Sequence, residues 1–435
     1  MTKLCFIGAG STIFAKNVLG DCILTPELGE FDIALFDIDP VRLDDSYQMV
    51  KNINKKYHGK ANIKKYLNRK KALEGSTVVI NAIQVGGFEA TMVDFDIPKK
   101  YGLKQTIGDT LGVAGIFRGL RTIPVLESIC KDMKEVCPNA LFINYANPMA
   151  ILTGYLQRYL WPNTVGLCHS VQHCVKGLLE SVKMNDYIGK TKETIAGINH
   201  QAWLLKITDL NDNDLYPEIK RRILSGEYYE TSKRDLVRQD MIFRFGYYIT
   251  ESSEHTSEYT PRYIKNAYPE LIEKYQIPLD EYPRRCVKQI NDWKEMREKL
   301  ISHDIEHEKS KEFAAGIVNA LVNNVPYIIH GNVLNKNLIT NLPYDACVEV
   351  RCLVDREGIH PTHFGDLPEQ CAAINRTNIN VQNMTILAAH ERKKSLVYMA
   401  AYLDPHTCSE LSMDDIKNMC DELFEVHKKY MPEYK

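Results

Sequence analysis

The sequence predicts an α/β protein: a doubly wound parallel sheet of Rossmann-like type in the first half, and a helix-rich α+β region in the second. Three observations carry that expectation. Short apolar runs alternate with helical patterns from the first residues onward. A Gly8-Ala9-Gly10 turn follows the first of these runs directly. Beyond about Leu210 the alternation gives way to long charged helical stretches and fewer strands. The expected division is a dinucleotide-binding domain over residues 1–200 and a second domain over 201–435.

Taken in order, Leu4-Cys5-Phe6-Ile7 reads as a strand and Thr12 to about Ile23 as a helix. Between them Gly8 suits a tight turn, and Gly10 lets a pyrophosphate approach the backbone at a helix amino terminus, beside Ser11. The third glycine of the dinucleotide fingerprint is absent, Ile13 standing in its place. Ile33-Ala34-Leu35-Phe36 is a second strand ending in Asp37, an acid placed to bind an adenosine ribose, with Asp39 as a rival. A helix opens at Asp39-Pro40 and runs to about Lys56. Thr77 to Ile83, carrying Asn81, is apolar enough for a strand covered on both faces. Leu126 to Val136 reads as helix and Leu141 to Tyr145 as strand, with Asn147 left at its tip where Pro148 stops regular pairing. Thr164 to Leu167 and Ala196 to Ile198 are further buried strands, delivering Cys168 and His200. Later, Val348 to Val354 reads as a strand, and Asn378 to Tyr402 and Met413 to Tyr430 as helices.

Composition narrows the functional classes. The 435 residues are 44% hydrophobic and 25% charged, ordinary for a globular protein with a sizeable core. A formal net charge of −2 argues against nucleic acid or an anionic membrane as partner. Twelve cysteines without a CxxC pair argue against a disulfide scaffold and a structural zinc site. No apolar run is long enough to span a bilayer, and the chain enters its first strand without a signal-peptide pattern, so a reducing cytoplasm is the expected setting.

Two further stretches stand out. Lys104 to Arg118 is rich in glycine and polar groups and reads as a loop at the sheet edge, where α/β sheets keep their sites. Thr250 to Arg262 packs three carboxylates, His255, Tyr259 and an arginine into thirteen residues without the spacing of a solvated helix, and reads as a site loop. One cysteine and one histidine can hold a divalent ion with coordination positions open, although spacing alone favours a buried thiol and a core imidazole, since two ligands do not make a metal signature.

The runs GAGSTIFAKNVLGD, DIDPVRL, VVINAIQVGG, YGLKQTIGDTLGVAGIFRGLRTIP, INYANPMA, VGLCHSVQ, AGINH and TESSEHTSEYTP lie in order through the first ~260 residues. Together they resemble glycoside hydrolase family 4, the NAD- and metal-dependent glycosidases, and within it the α-galactosidase branch. The resemblance implies hydrolysis of small-molecule α-galactosides with NAD and Mn²⁺, or another divalent metal, as cofactors. The implied route is C3 oxidation, metal-assisted loss of the C2 proton, elimination at C1, water addition and re-reduction. It places the metal on Cys168 and His200, the sugar on Asn147 and Arg118, and the dinucleotide on Gly8, Gly10, Ser11, Asp37 and Asn81. Asp109 falls where members carry an acid that tunes the base, and the base is Tyr259 or His255. His169 stands where phosphoglucosidase members carry an acidic proton donor, and an imidazole can fill that role. The second domain would complete the substrate and metal site, in a homodimer or homotetramer. Related activities remain as alternatives: 6-phospho-α-glycosidase, α-glucosidase or α-galacturonidase. From other classes come a 2-hydroxyacid dehydrogenase using His169 and a non-catalytic NAD sensor.

Overall fold

The structure is a computed structural model that describes residues 1–229, 235–302 and 305–435. Its strands are β1 (Lys3–Ile7), β2 (Phe31–Phe36), β3 (Ala61–Tyr66), β4 (Val78–Asn81), β5 (Leu141–Asn144) and β6 (Thr164–Gly166). The later strands are β7 (Thr191–Ile198), β8 (Gln201–Asp209), β9 (Tyr248–Ile249), β10 (Tyr327–Leu334), β11 (Cys347–Asp355) and β12 (Gly358–Pro361). All belong to one sheet, in the order β3-β2-β1-β4-β5-β6-β10-β11-β7-β8-β9, with β12 paired to β11.

The first six strands are parallel, in the 3-2-1-4-5-6 order of a doubly wound dinucleotide fold. Both faces are covered, which is why these strands read as apolar runs. In β1, Leu4 and Phe6 enter one core with the helices Thr12–Ile23, Pro40–Lys56 and Ala314–Asn323. Cys5 and Ile7 enter the other with Gly112–Val136, Glu369–Glu391 and Met413–His427. The second helix begins where expected because Asp39 accepts from the backbone N–H groups of Val41 and Arg42, a side-chain cap preceding Pro40.

Four expectations need adjusting. Strand β3, carrying Lys64 and Lys65 on an exposed edge, has too few apolar residues to show in the sequence. The loop expected over 104–118 ends earlier, since a helix of 25 residues starts at Gly112. The Thr250–Arg262 run contains the short helix Ser253–Glu258, whose first five residues are buried; it packs inward on both sides and so lacks a solvated stripe. The strand before His200 does not continue the parallel series but forms an antiparallel hairpin, β7–β8, turning through Asn199 and His200. A boundary at residue 200 falls inside that turn, and the sheet runs without interruption from the first half into the second. Among the described residues, no helix is long and apolar enough to cross a membrane.

The helices on the second face are tied by a buried polar cluster. Arg121 donates to both carboxylate oxygens of Asp94, at 3.0 and 2.6 Å, and through Nε to the Val85 carbonyl at 3.0 Å. Nε2 of His427 lies 2.8 Å from the same carboxylate. Arg121 is 0% and Asp94 3% exposed, so water cannot replace either partner. Arg121→Ala should therefore lower stability by roughly 3–5 kcal/mol by leaving a buried carboxylate without its cation, measurable by urea unfolding.

Candidate active site

At the carboxyl edge of the parallel strands, the backbone turns at Gly8 with φ +88°, and a Cβ there would lie 2.8 Å from the Ala82 carbonyl carbon and oxygen. Only glycine fits that crossing of β1 and the β4 exit. Gly10 N–H donates to Asp37 Oδ2 at 2.6 Å and Asp39 N–H to Asp37 Oδ1 at 2.9 Å, so the acid at the tip of β2 braces the glycine turn. Asp39, its rival for the ribose, caps the following helix. Ser11 is exposed, with no capping bond from its side chain. Ile13, 45% exposed, stands clear of the strand–helix contact where a third glycine would be needed. Asn81 is 0% exposed, and its amide donates to Asn144 Oδ1 at 3.0 Å, within the sheet.

Cys168 follows β6 and His200 closes the β7–β8 turn with φ +61°, strands that are separated in the sheet by β10 and β11. The fold brings the two together and adds a third donor, Glu251, which follows β9. One ligand atom from each of the three lies within 4.8 Å of the others. A thiol, an imidazole and a carboxylate with room for further ligands is a donor set that a divalent transition ion accepts. The protein's own atoms fit such an ion. Nδ1 of His200 is buried and without a partner among the described residues, while its Nε2 lies 3.5 Å from Glu251 Oε2. Burial pushes the Cys168 thiol up, with Glu349 and Glu251 adding to the effect, so a thiolate here requires a cation beside it. Burial is the largest influence on Glu251 and works against its charge, but His200, His255, the Ser252 N–H and Arg238 together outweigh it and the pKa falls to about 2.

Around this donor set stand the proton-transfer candidates. The His255 ring centroid is 4.3 Å from that of His200, and burial, then the charge of His200, pushes His255 down to about 4. The ring is neutral at neutral pH and its Nδ1 has no partner among the described residues. The Tyr259 ring lies 6.4 Å from each of those two, and its hydroxyl donates to Thr110 Oγ1 at 2.9 Å. Burial holds this phenol well above its ordinary value. Asp109 accepts from Asn147 Nδ2 at 2.9 Å, and Arg118 Nε donates to the Asn147 carbonyl at 3.2 Å. Asp109, Asn147 and Arg118 thus form one linked group, to which Tyr282 adds a hydroxyl 3.3 Å from Arg118 Nη1. The loop bearing Asp109 is clamped by Glu258, whose carboxylate accepts from the backbone N–H groups of Thr106, Ile107 and Gly108. Nε2 of His169 hydrogen-bonds the carboxylate of Glu312, and this bond is the main reason the imidazole's pKa is raised.

Glu251, Glu312 and Glu349 were not assigned from the sequence. Glu251 lies in a run that reads as a site loop, in which only His255 and Tyr259 are given roles. Glu349 had a signal, a carboxylate flanked by Val348 and Val350 in an otherwise apolar strand; it is 0% exposed and burial raises it to about 7. Glu312 had none, because its partner lies 143 residues away.

A doubly wound sheet with a glycine turn opening its first helix, and an open donor set at the same edge, defines the class: a dinucleotide-fold enzyme with a candidate metal centre. The chain belongs to the family 4 glycosyl hydrolases, since residues 3–184 match the family model and residues 195–407 that of its C-terminal domain. It is 57% identical to an alpha-galactosidase of Bacillus subtilis (strain 168), covering 100% of both chains. It is 34% identical to an alpha-galactosidase of Rhizobium meliloti (strain 1021), covering 99% of this chain and 89% of that one. In fold it is similar to a 6-phospho-alpha-glucosidase from gut microorganisms solved in complex with NAD and Mn²⁺, with a TM-score of 0.80 at 20% identity over 100% of both chains. Membership in a glycosidase family removes the dehydrogenase and sensor readings.

Two outcomes follow from this geometry. Glu251→Gln should weaken Mn²⁺ binding at least about tenfold in calorimetry while leaving the melting temperature of the chelated protein within a few degrees, as expected for a ligand and not a core group. Glu258 is held by burial at about 7, above the 4.5 of a free carboxyl, against the three N–H groups that favour its anion. A folded pKa raised in this way stabilises fully below 4.5, and the contribution is lost as pH rises through about 7. Between pH 5 and 8, wild type should therefore lose on the order of 1–3 kcal/mol that Glu258→Gln does not, seen as a flatter dependence of unfolding free energy on pH in the variant.

Proposed function

We propose that the protein hydrolyses unphosphorylated α-galactosides, such as melibiose and raffinose, as a cytoplasmic homo-oligomeric enzyme dependent on NAD⁺ and Mn²⁺ or a similar divalent ion. The observation that carries this reading is the Cys168–His200–Glu251 donor set beside the Gly8–Gly10 turn, in a chain 57% identical over its whole length to an alpha-galactosidase. When bound, NAD⁺ supplies oxidation and re-reduction at C3 of the sugar, and the divalent ion neutralises charge developing on the C2 and C3 oxygens.

The chain's own groups do the rest. The Gly8-Gly10-Ser11 turn lets a pyrophosphate approach the amino terminus of the helix Thr12–Ile23, and Asp37 lies at the strand tip where a ribose would sit. Asn81, inside the sheet, supports that edge through Asn144. Asn147 and Arg118 face the sugar hydroxyls, with Asp109 orienting the Asn147 amide. The C2 proton passes to the His255–Tyr259 side of the donor set, where His255 carries a free lone pair at neutral pH and Tyr259 is braced by Thr110. His169 protonates the departing glycosidic oxygen.

An unphosphorylated substrate is supported by the arginines. Arg121 is buried in its pair with Asp94, and Arg262 lies over the Phe245 ring at 5.2 Å. Arg118 alone of the three reaches the site, and it is already engaged by Asn147 and Tyr282.

Activity on 4-nitrophenyl α-galactoside should require both NAD⁺ and Mn²⁺, and should fall steeply when the sugar carries a 6-phosphate. Full turnover by enzyme freed of nucleotide and treated with chelator would refute the mechanism. Cys168→Ser and His200→Ala should each lower the rate about 10²–10³-fold, the cost of removing a preorganised stabiliser of developing charge. Hydrolysis in D₂O should yield galactose carrying deuterium at C2 by proton NMR, since the elimination breaks that C–H bond. His255→Gln and Tyr259→Phe separate the two acceptors, because only loss of the true base slows C2 exchange at unchanged metal affinity.

A further inference from the structure

His169 is seated from three sides by residues far apart in the chain. Its ring centroid lies 6.2 Å from Phe14 on the helix after the glycine turn, and 6.5 Å from Tyr145 at the tip of β5. Phe14 and Tyr145 themselves pack edge to face at 4.7 Å. On the third side Glu312, from the second half of the chain, takes Nε2. The fourth side is open, the His169 side chain being 50% exposed against 4% for Glu312.

Glu312 is itself held in place. Its backbone N–H donates to Ser310 Oγ at 3.1 Å, Ser310 N–H donates to Asp21 Oδ1 at 2.8 Å, and the Ser310 hydroxyl donates to Asp21 Oδ2. Asp21 and His307, each 1% exposed in the side chain, complete the anchor at 2.8 Å. Asp21 lies on the same helix as Phe14. One helix therefore supplies both the aromatic wall for the His169 ring and the anchor for its carboxylate partner. A carboxylate buried this deeply and bonded to a half-exposed imidazole is a poor stability device, and its arrangement has the form of a carboxylate that orients a working histidine.

We propose that Glu312 is the positioning residue of the acid side: it holds Nε2–H of His169 and so aims Nδ1 at the glycosidic oxygen. This rests on the reading of His169 as the proton donor. In the step served, the electron pair left at C2 forms the C1–C2 double bond as the C1–O bond breaks. The bonding pair leaves with the oxygen, and the Nδ1 proton passes to it. The aglycone departs as a neutral alcohol, and the ring becomes neutral with Nε2–H still on Glu312. Phe14 and Tyr145 fix the plane of the ring, and Glu312 fixes its rotation.

The test varies the leaving group in the holoenzyme with NAD⁺ and Mn²⁺ under reducing conditions. A sugar alkoxide needs a proton to depart, whereas a nitrophenolate does not. Glu312→Gln and Glu312→Asp should lower kcat on melbiose-type substrates, assayed with melibiose, by about 10²-fold or more, in the range for loss of acid assistance. The same variants should stay within about threefold of wild type on 4-nitrophenyl α-galactoside, and His169→Gln should show the same selectivity. Melting temperature and Mn²⁺ affinity of each variant are measured alongside. If either folded Glu312 variant loses both substrates equally, or neither, while His169→Gln remains selective, the proposal for Glu312 is overturned and the acid assignment stands. If His169→Gln shows no selectivity, the acid assignment falls and the proposal with it.

Discussion

Everything at the site depends on a polar row that crosses the sheet where an apolar one would be expected. Gly166, Asn332, Glu349 and Gly197 are successive register partners on β6, β10, β11 and β7. Asn332 donates to the Gly166 carbonyl at 3.3 Å and to Glu349 Oε1 at 3.2 Å. Cys168 lies two residues beyond one end of the row and His200 three residues beyond the other. The late strands β10 and β11 thereby fix the separation of two candidate ligands that precede them in the chain. Both flanking positions are glycine, and a Cβ on either would meet neighbouring atoms within 2.7 Å. Burying a carboxyl here carries a large desolvation cost, visible in the elevated pKa of Glu349.

That cost has a use. Glu251 and Glu349 both act electrostatically on the Cys168 thiol, and His200 faces both carboxylates. Without a cation the cluster resists formation of the thiolate, and with one the same negative groups are complementary to it. Binding of an ion by this donor set would therefore be coupled to deprotonation of the thiol, with coordination positions left open beyond the three protein donors.

The two halves of the chain share every function of the site. The nucleotide half supplies the glycine turn, Asp109, Asn147 and Cys168. The second half supplies Glu251, His255 and Tyr259, and it also supplies the groups that hold the first half's residues in place: Glu258 on the 106–108 backbone, Tyr282 on Arg118, and Glu312 on His169. A sheet continuous through both halves makes this registration rigid, because strands cannot slip by one residue without turning their side chains to the opposite face.

The sequence by itself determined what local chemistry can determine. The parallel half was legible because strands covered on both faces must be apolar, and because the Gly8 turn and the Asp39-Pro40 cap leave signals within a few residues. Cys168, His200, Asn147 and the Thr250–Arg262 run were legible because each is a concentration of reactive groups at a strand end. The tertiary structure alone decided three things. It threaded β10 and β11 between β6 and β7, a topology set by side-chain packing across the whole sheet and not by any local pattern. It made Glu251 a third ligand-type group, and it delivered Glu312 to His169 across 143 residues of chain. Such pairings leave no trace in composition or periodicity, because a buried carboxylate is tolerated only through partners that the fold brings from elsewhere.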